Sequence, residues 1–592
     1  VSARIVFTLL LAAALAGCGR GVPPPSTPIA PGPEPGAAPP TITLSIVGTN
    51  DLHGGILQRE DRGGLALLGG YVANLRAARA RDGGAVLLLD AGDMWQGTLE
   101  SNLNEGAAIT AAYGVLGYAA ATIGNHDFDF GPVGPDSTPK HASDDPRGTL
   151  KARAAGAAFP FLTANIIDMA TDRPVAWPNV HPSTLVTAAG IKVGIIGVVT
   201  ADALKVTMAA NTSGLRIAPL VTSVAAEATK LRERGSSVVI VAAHAGTTCR
   251  TFGTPADVSS CDLTDEIPRL AAALPAGLVD AVIAGHRHDV IAHQFNGIAV
   301  AESYTGGRSF GRIDLIVDRA TRRVLERRSF PPRDVCARVD PGTTRCDPGG
   351  NRELRVPATY EGVAVVPSAA VERALAPAID AVKALKRRPL GITLATPLRR
   401  TEALASAIGN LFTDAYLAAV PGADVALNNT RGGLRADMAA GPLTYGDVFE
   451  VMPFDNRVVG VRLTGGDLRK AVTTWLGARV PAFPGFAGLR VRAACESGAL
   501  RVRLLRPNGA EVGDSERLLV ATTDFLATNG DGILTPVAPE GLPTDQDYGA
   551  ARDVVVEALS RRGGTLREED LLDPANPRVV IPDVPRPVTC GG

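Results

Sequence analysis

Thr122-Ile123-Gly124-Asn125-His126-Asp127-Phe128-Asp129-Phe130-Gly131 puts an amide, an imidazole and two carboxylates on one short loop. It follows a small-residue run, Tyr118 to Ala121, of the kind that ends a buried strand. An aspartate three residues after a histidine is placed to hold the imidazole, orient it and raise its basicity. An amide oxygen becomes a useful metal ligand beside harder, charged ones. Alone, the stretch reads equally as a turn. Four other stretches of matching chemistry decide between the two readings.

Asn50-Asp51-Leu52-His53 offers an Asp-x-His, and Asp90-Ala91-Gly92-Asp93 an aspartate beside glycine. Val241-Ala242-Ala243-His244 ends an apolar run on a histidine, and Gly285-His286-Arg287-His288 offers a His-x-His. Each lies just past a predicted strand, and ligands of open α/β sheets gather beyond the carboxyl ends of strands. Imidazole nitrogen suits zinc, manganese and iron, and carboxylate and amide oxygen suit the harder metals. Asp51, His53, Asp93, Asn125, His244, His286 and His288 are too many ligands for one ion and about right for two. A shared carboxylate relieves the repulsion between two cations, and such a pair grips a phosphoryl oxygen and activates water at neutral pH.

The chain has 592 residues, enough for two or more domains. Lys+Arg number 59 against Asp+Glu 60, so the basic excess of a general nucleic-acid binder is missing. Hydrophobic residues make up 45%, enough for a proper core, and aromatics only 4%, so a Phe in a polar loop draws notice.

Residues 1–17 read as a signal peptide, with Arg4 before an apolar run too short to span a bilayer. The run closes on Leu15-Ala16-Gly17-Cys18, which resembles a bacterial lipobox and makes Cys18 the expected lipidation site; a plain secretory signal is the alternative. Residues 18–40, rich in Pro, Gly, Ala and Ser, read as a flexible tether. The remaining cysteines fall by proximity into Cys249/Cys261, Cys336/Cys346 and Cys495/Cys590, an arrangement expected of disulfides in an oxidising compartment.

Ile42, Leu44 and Ile46 alternate with polar residues, a strand pattern. Val86–Leu89, Val193–Val199, Val238–Ala242 and Ala281–Ala284 are continuous apolar runs suited to buried strands. Helical segments are predicted near Leu65–Arg81, Ala107–Leu116 and Val221–Arg234. The alternation predicts an α/β layered domain. Residues 132–150 read as an insertion loop, 318–360 as a stretch where the pattern breaks, and 368–387 as an interdomain helix.

In order, Asp-x-His, Gly-Asp-x-x-Gln-Gly-Thr, Gly-Asn-His-Asp-Phe-Asp, a lone His after a strand and Gly-His-x-His resemble the calcineurin-like metallophosphatases. More narrowly they resemble the secreted 5′-nucleotidases, which include periplasmic UDP-sugar hydrolases and ecto-5′-nucleotidase. The resemblance implies a four-layer α/β/β/α metallophosphatase domain over 41–328, a linker over 329–388 and an α/β nucleotide-binding domain over 389–592. It implies two divalent ions, zinc, manganese or similar: one held by Asp51, His53, Asp93 and His288, the other by Asp93, Asn125, His244 and His286. His126 would face the phosphate, oriented by Asp129, and Asp127 stands where the family usually has Glu.

In the carboxy-terminal half, Asn428-Asn429-Thr430-Arg431-Gly432-Gly433-Leu434-Arg435, Pro453-Phe454-Asp455-Asn456 and Asp524-Phe525-Leu526-Ala527-Thr528-Asn529-Gly530-Asp531-Gly532 resemble the family's substrate loops. Phe454 and Phe525 are placed to stack on a base, with core packing beneath tight turns as the other reading. Arg435 is placed to grip a phosphate and Asp531 to accept from sugar hydroxyls; Asn456 and Arg400 are carried over with them. Asn529 departs from the usual Gly, Thr430 occupies the usual Asn spacing, and extra residues separate Arg400 and Glu402 from Gly409-Asn410.

The expected function is an exported, lipid-anchored two-metal phosphoesterase that hydrolyses nucleoside 5′-monophosphates. Alternatives are a phosphoesterase for cyclic nucleotides, UDP-sugars or another ester, and a non-catalytic nucleotide-binding surface lipoprotein. No polymeric nucleic acid is expected as partner, and the oligomeric state is not legible.

Overall fold

The computed structural model describes residues 40–400, 406–430, 432–477, 484–582, 588 and 590. The expected leader over 1–17, Cys18, the tether as far as residue 39, Glu402 and Arg431 lie outside the described residues.

Period-two alternation builds the amino-terminal half. The strands of its two large sheets are β1 (Thr41–Thr49), β2 (Ala85–Asp90), β3 (Tyr118–Thr122), β4 (Phe161–Leu162), β5 (Val180–His181), β6 (Ser183–Ala188) and β7 (Ile191–Val199). They continue as β8 (Val238–His244), β9 (Ala281–Ala284), β10 (Val290–Phe295), β11 (Ile298–Ser303), β12 (Ser309–Asp318) and β13 (Val324–Asp334). One seven-stranded sheet runs β13-β12-β1-β2-β3-β4-β5, and one six-stranded sheet runs β6-β7-β8-β9-β11-β10.

The two sheets pack face to face. Leu44, Ile46, Leu87 and Leu89 of the first meet Ile195, Ile240, Ile283 and Ala301 of the second in one buried layer. The intervening side chains point outward. Val47 and Leu88 pack beneath helices α1 (Leu65–Asp82) and α2 (Ala107–Leu116). Ile196, Val239 and Val241 pack beneath α3 (Leu220–Glu233). The result is the expected α/β/β/α stack. Strands buried on both faces read as unbroken apolar runs, so these were the strands visible in the sequence.

Two expectations change. Residues 132–150 are not loop throughout, because a helix starts inside them at Gly148 and runs to Gly156. The stretch 318–360 contains β13, a strand of 11 residues. As an edge strand it buries only Ser329 and Asp334 and accommodates Pro331 and Pro332, so no apolar period marks it.

Helix α4 (Ala369–Lys386) follows, capped by the Ser368 side chain, which accepts from the Val371 amide. Val371 and Leu375 belong to the amino-terminal core and Val382 to the carboxy-terminal one. The carboxy-terminal half centres on β14 (Val425–Asn429), β15 (Arg457–Thr464), β16 (Pro484–Ala487), β17 (Arg517–Thr523) and β18 (Thr544–Ala550), in the order β16-β14-β17-β15-β18. Ala426, Val458 and Ala521 face α5 (Ala407–Ala419), α6 (Tyr445–Val451) and, beyond them in sequence, a helix over Ala551–Arg562. Val425, Val459 and Val520 face a helix over Gly465–Leu476.

Disulfides join Cys249 to Cys261, Cys336 to Cys346 and Cys495 to Cys590. Among the described residues no helix is long and apolar enough to cross a membrane.

Candidate active site

Parallel pairing brings five carboxyl ends to one edge. β1 runs parallel to β2, with Thr49 opposite Asp90, and β2 runs parallel to β3. In the other sheet β7, β8 and β9 are parallel, with Val199 opposite His244. The loops leaving these strands carry Asp51 and His53, Asp93, Asn125 and His126, and His286 and His288, and β8 itself ends on His244.

The loops curl back sharply. Asp51, His53, Asp93, His286 and His288 all take left-handed backbone, with φ of 48°, 46°, 57°, 76° and 56°. Such conformations are costly away from glycine and persist only where the surroundings over-determine them. Close approach does the same at Gly124, where a Cβ would collide with Asp93.

The surroundings are specific. Asp127 accepts from the backbone N–H of Gly124 at 2.8 Å, Asp93 at 3.2 Å and Met94 at 3.1 Å, tying the loops after β2 and β3 together. Asp51 Oδ2 accepts from the Asn50 amide and the His286 N–H, both at 2.8 Å. Asn50 is held in turn by Ser303, whose N–H and hydroxyl donate to its Oδ1. These bonds turn Asp51 Oδ1 inward, where it is buried with no hydrogen-bond partner.

Ring tautomers follow from the outer partners. His53 Nδ1 donates to the Gln96 carbonyl at 2.9 Å and His244 Nδ1 to the Ala91 carbonyl at 2.8 Å. Both Nε2 atoms therefore present lone pairs to the centre. His53 Nε2 lies 3.1 Å from His288 Nε2, which is itself 3.2 Å from Asp51 Oδ1. His244 Nε2 lies 3.0 Å from Asn125 Oδ1 and 3.2 Å from Asp93 Oδ2, and His286 Nδ1 lies 3.1 Å from the same Asn125 oxygen. Asp93 Oδ2 is also 3.8 Å from His53 Nε2, so it stands between the two groups. The inward lone pairs of His53 and His244, set among carboxylate and amide oxygens, fit cations shared at the centre.

Electrostatics agree. Burial, then the neighbouring His288, pushes His53 down to about 3, and burial, then His244, pushes His286 down to about 4. Both imidazoles stay neutral, as metal ligation requires. Burial opposes a charge on His244, but Asp93 outweighs it and lifts the group to about 10; a cation at that place would take over the role of the proton.

His126 stands beside this cluster. Its Nδ1 lies 2.7 Å from Asp129 Oδ2. Burial works against its charge, while Asp129 and Asp93 prevail and raise its pKa above the ordinary histidine value. Its Nε2 meets Arg435 Nη2 of the other half at 3.1 Å. The Arg435 guanidinium lies over the Phe454 ring, 5.0 Å from its centroid.

One cavity of about 300 Å³ takes in Asp93, Asn125, His126, Asp129, His286 and His288 on one side. Arg435, Phe454, Asn456, Phe525 and Asp531 line the other. Asp51, His53 and His244 do not line the cavity. Arg400 is not in it: its guanidinium donates to the Arg435 carbonyl at 2.8 Å. Phe454 is both cavity wall and core, 8% exposed, so the core-packing reading describes one side of it and the other side faces the cavity.

Asn529 takes φ of 70°, a conformation asparagine tolerates better than other side chains, which explains how it stands in for the usual glycine. Asn429 links the substrate loops: it accepts from the Gly432 N–H and donates to Asp531 Oδ2. Val206, Thr207 and Met208 also line the cavity, and no motif or period in the sequence pointed to them.

A two-sheet α/β sandwich with His, Asp and Asn loops at one edge defines a metal-dependent phosphoesterase. The profile of the 5′-nucleotidase C-terminal domain matches residues 387–538. Protein UshA of Escherichia coli is 25% identical over 83% of this chain and 86% of its own length. Endonuclease YhcR of Bacillus subtilis is 25% identical over 86% of this chain, which spans only 39% of that protein. The crystal structure of a 5′-nucleotidase precursor from Thermus thermophilus superposes with a TM-score of 0.68 at 22% identity, covering 92% of this chain and all of that one. The chain thus carries a 5′-nucleotidase C-terminal domain over residues 387–538 and, as a whole, has the fold of the 5′-nucleotidase precursor.

Proposed function

We propose that the chain hydrolyses nucleoside 5′-monophosphates, and other nucleotides, to nucleoside and phosphate. The observation that carries this is the single cavity in which the His126–Asp129 pair and the inward-facing ligand cluster meet Arg435, Phe454 and Phe525 of the other half. The names of the relatives, UshA and 5′-nucleotidase, support the same reading.

We place two divalent cations of the zinc or manganese kind in the cluster. Asp51, His53, Asp93 and His288 would hold one, and Asp93, Asn125, His244 and His286 the other. When bound, such a pair supplies Lewis acidity to a phosphoryl oxygen and lowers the pKa of water.

The chain's own residues do the rest. Asp129 keeps His126 Nδ1 protonated, and once Arg435, which donates to Nε2, turns to the phosphate, a second proton at Nε2 can be donated to a phosphoryl oxygen as its charge develops. Arg435 offers its fork at the same place. Phe525 offers a ring face to the base, and Asp531, held through Oδ2 by Asn429, accepts from the sugar. The catalytic domain is taken as 41–328 and the substrate domain as 389–592, joined through α4. Export with a lipid anchor at Cys18 completes the reading; the three disulfides support an oxidising compartment.

The test is a panel of nucleoside monophosphates, cyclic nucleotides, UDP-sugars and an aryl phosphate, assayed with each divalent metal. A 5′-monophosphate should be the preferred substrate. Turnover of aryl phosphate with no preference for any nucleotide would overturn the proposal.

A further inference from the structure

We propose that Thr207 is a positioning residue that holds Asp129, and through it His126, for the hydrolysis proposed above. Asp129 has two carboxylate oxygens, and both are engaged. Oδ2 faces His126 Nδ1 at 2.7 Å, and Oδ1 accepts from the Thr207 hydroxyl at 2.8 Å. A carboxylate held at one oxygen can still rotate about its own axis and let the imidazole swing. Held at both, it has one orientation, and the His126 ring inherits it.

Thr207 is built for this. It is 3% exposed, on the segment that leaves β7 for the rim of the cavity. Its neighbour Val206 accepts from the Asn125 side-chain N–H at 3.2 Å, so the Asn125 oxygen is left to face His244 and His286. The segment is anchored back onto the His126 loop. Asn211 donates to the Phe128 carbonyl and to the Ser137 carbonyl, each at 2.8 Å. Arg147 donates to the Ser213 carbonyl at 2.9 Å. One segment thus sets two groups on the His126 loop: the Asn125 amide and the Asp129 carboxylate.

The test compares Thr207→Val, which keeps the shape and removes the donor, with Thr207→Ser, which keeps the donor. Steady-state kinetics on a nucleoside monophosphate and on an aryl phosphate, with metal content and thermal unfolding, are measured for each. The same changes are repeated in an Asp129→Ala background. Thr207→Val should lower kcat roughly 10-fold, the size expected when an outer partner of a site histidine is lost. KM and metal content should hold, Thr207→Ser should restore kcat, and Thr207→Val should cost nothing more once Asp129 is gone. An unaltered kcat in Thr207→Val, or a loss that persists undiminished without Asp129, overturns the proposal. If Thr207→Val fails to fold, Thr207→Ala carries the same expectation and the same refutation. An enzyme that cleaves the aryl phosphate but no nucleotide would sink the proposed substrate, and the aryl phosphate series would still decide the role of Thr207.

Discussion

An imidazole held through one nitrogen leaves the other for chemistry, and His126 differs in this from its neighbours. His53 and His244 turn their outer nitrogens to main-chain carbonyls and their inner ones to the cluster, whereas His126 turns its outer nitrogen to a carboxylate. His126→Ala should therefore lower kcat on the order of 10²–10³, the size of one lost transition-state stabiliser, and leave metal content unchanged. Elemental analysis beside kinetics checks it; metal lost in step with activity would make His126 a ligand. A second residue carries a pH dependence. Burial pushes the Asp90 carboxyl up to about 7, against the hydrogen bonds it accepts from Thr49, Tyr113 and Gly92. The unfolded chain ionises it near 3.8, so its contribution to stability is full below that pH and is lost as pH rises through about 7. Asp90→Asn should remove this slope from metal-free unfolding curves. A variant-minus-parent difference flat between about pH 4 and about pH 8 would show that Asp90 ionises normally.

Helix α6 shows how short segments position the substrate side. Its amino terminus is closed by a capping box: Thr444 Oγ1 accepts from the Asp447 N–H, and Asp447 Oδ2 accepts from the Thr444 N–H. Val448, Phe449 and Val451 bury its other face, and the chain then turns into the Phe454 loop. Thr444→Ala should cost about 1 kcal/mol of stability, and Thr444→Ser should keep most of it. Denaturant midpoints read the difference; equal midpoints for all three proteins would refute the role of the cap. The loops that carry Asp51, His53, Asp93, His286 and His288 show the opposite local economy. Five of their residues take left-handed backbone without glycine, so their shape rests on Asp127, Asn50 and the surrounding strands and not on local preference.

The two halves share more than a linker. α4 contributes to both cores, Lys386 at its end pairs with Glu100 at 2.9 Å, and the Asn102 amide donates to the Pro453 carbonyl at 2.8 Å. Arg435 reaches across to His126. If chemistry and base recognition are divided between the halves, Phe525→Ala should raise the nucleotide dissociation constant by roughly 5- to 150-fold, from stacking worth about 1–3 kcal/mol. It should spare hydrolysis of an aryl phosphate that lacks a base. Equal losses on both substrates would make Phe525 a folding residue, consistent with its packing against the neighbouring core. Metal titration of the whole protein should approach two transition-metal ions per chain at saturation; full activity at one would overturn the two-ion centre.

The sequence by itself determined the inner strands and the polar side chains that gather at their carboxyl ends. Val193–Val199 and Val238–Ala242 are buried on both faces, so burial is written in them as unbroken apolar runs, and β13, an exposed edge, left no such mark. Asp51, His53, Asp93, Asn125, His244, His286 and His288 were legible because their chemistry is carried by residue type and each follows a readable strand. The His126–Asp129 pair was legible because its spacing is local. Thr207, Asn50 and the loop-tying bonds of Asp127 were not, since a hydroxyl or an amide in a polar segment looks alike wherever it points. Which carboxylate oxygen Thr207 meets, and whether Arg435 reaches His126 from 309 positions away, depend on how two sheets and two halves pack. No local pattern encodes that distance, because the contact exists only after every intervening core has closed.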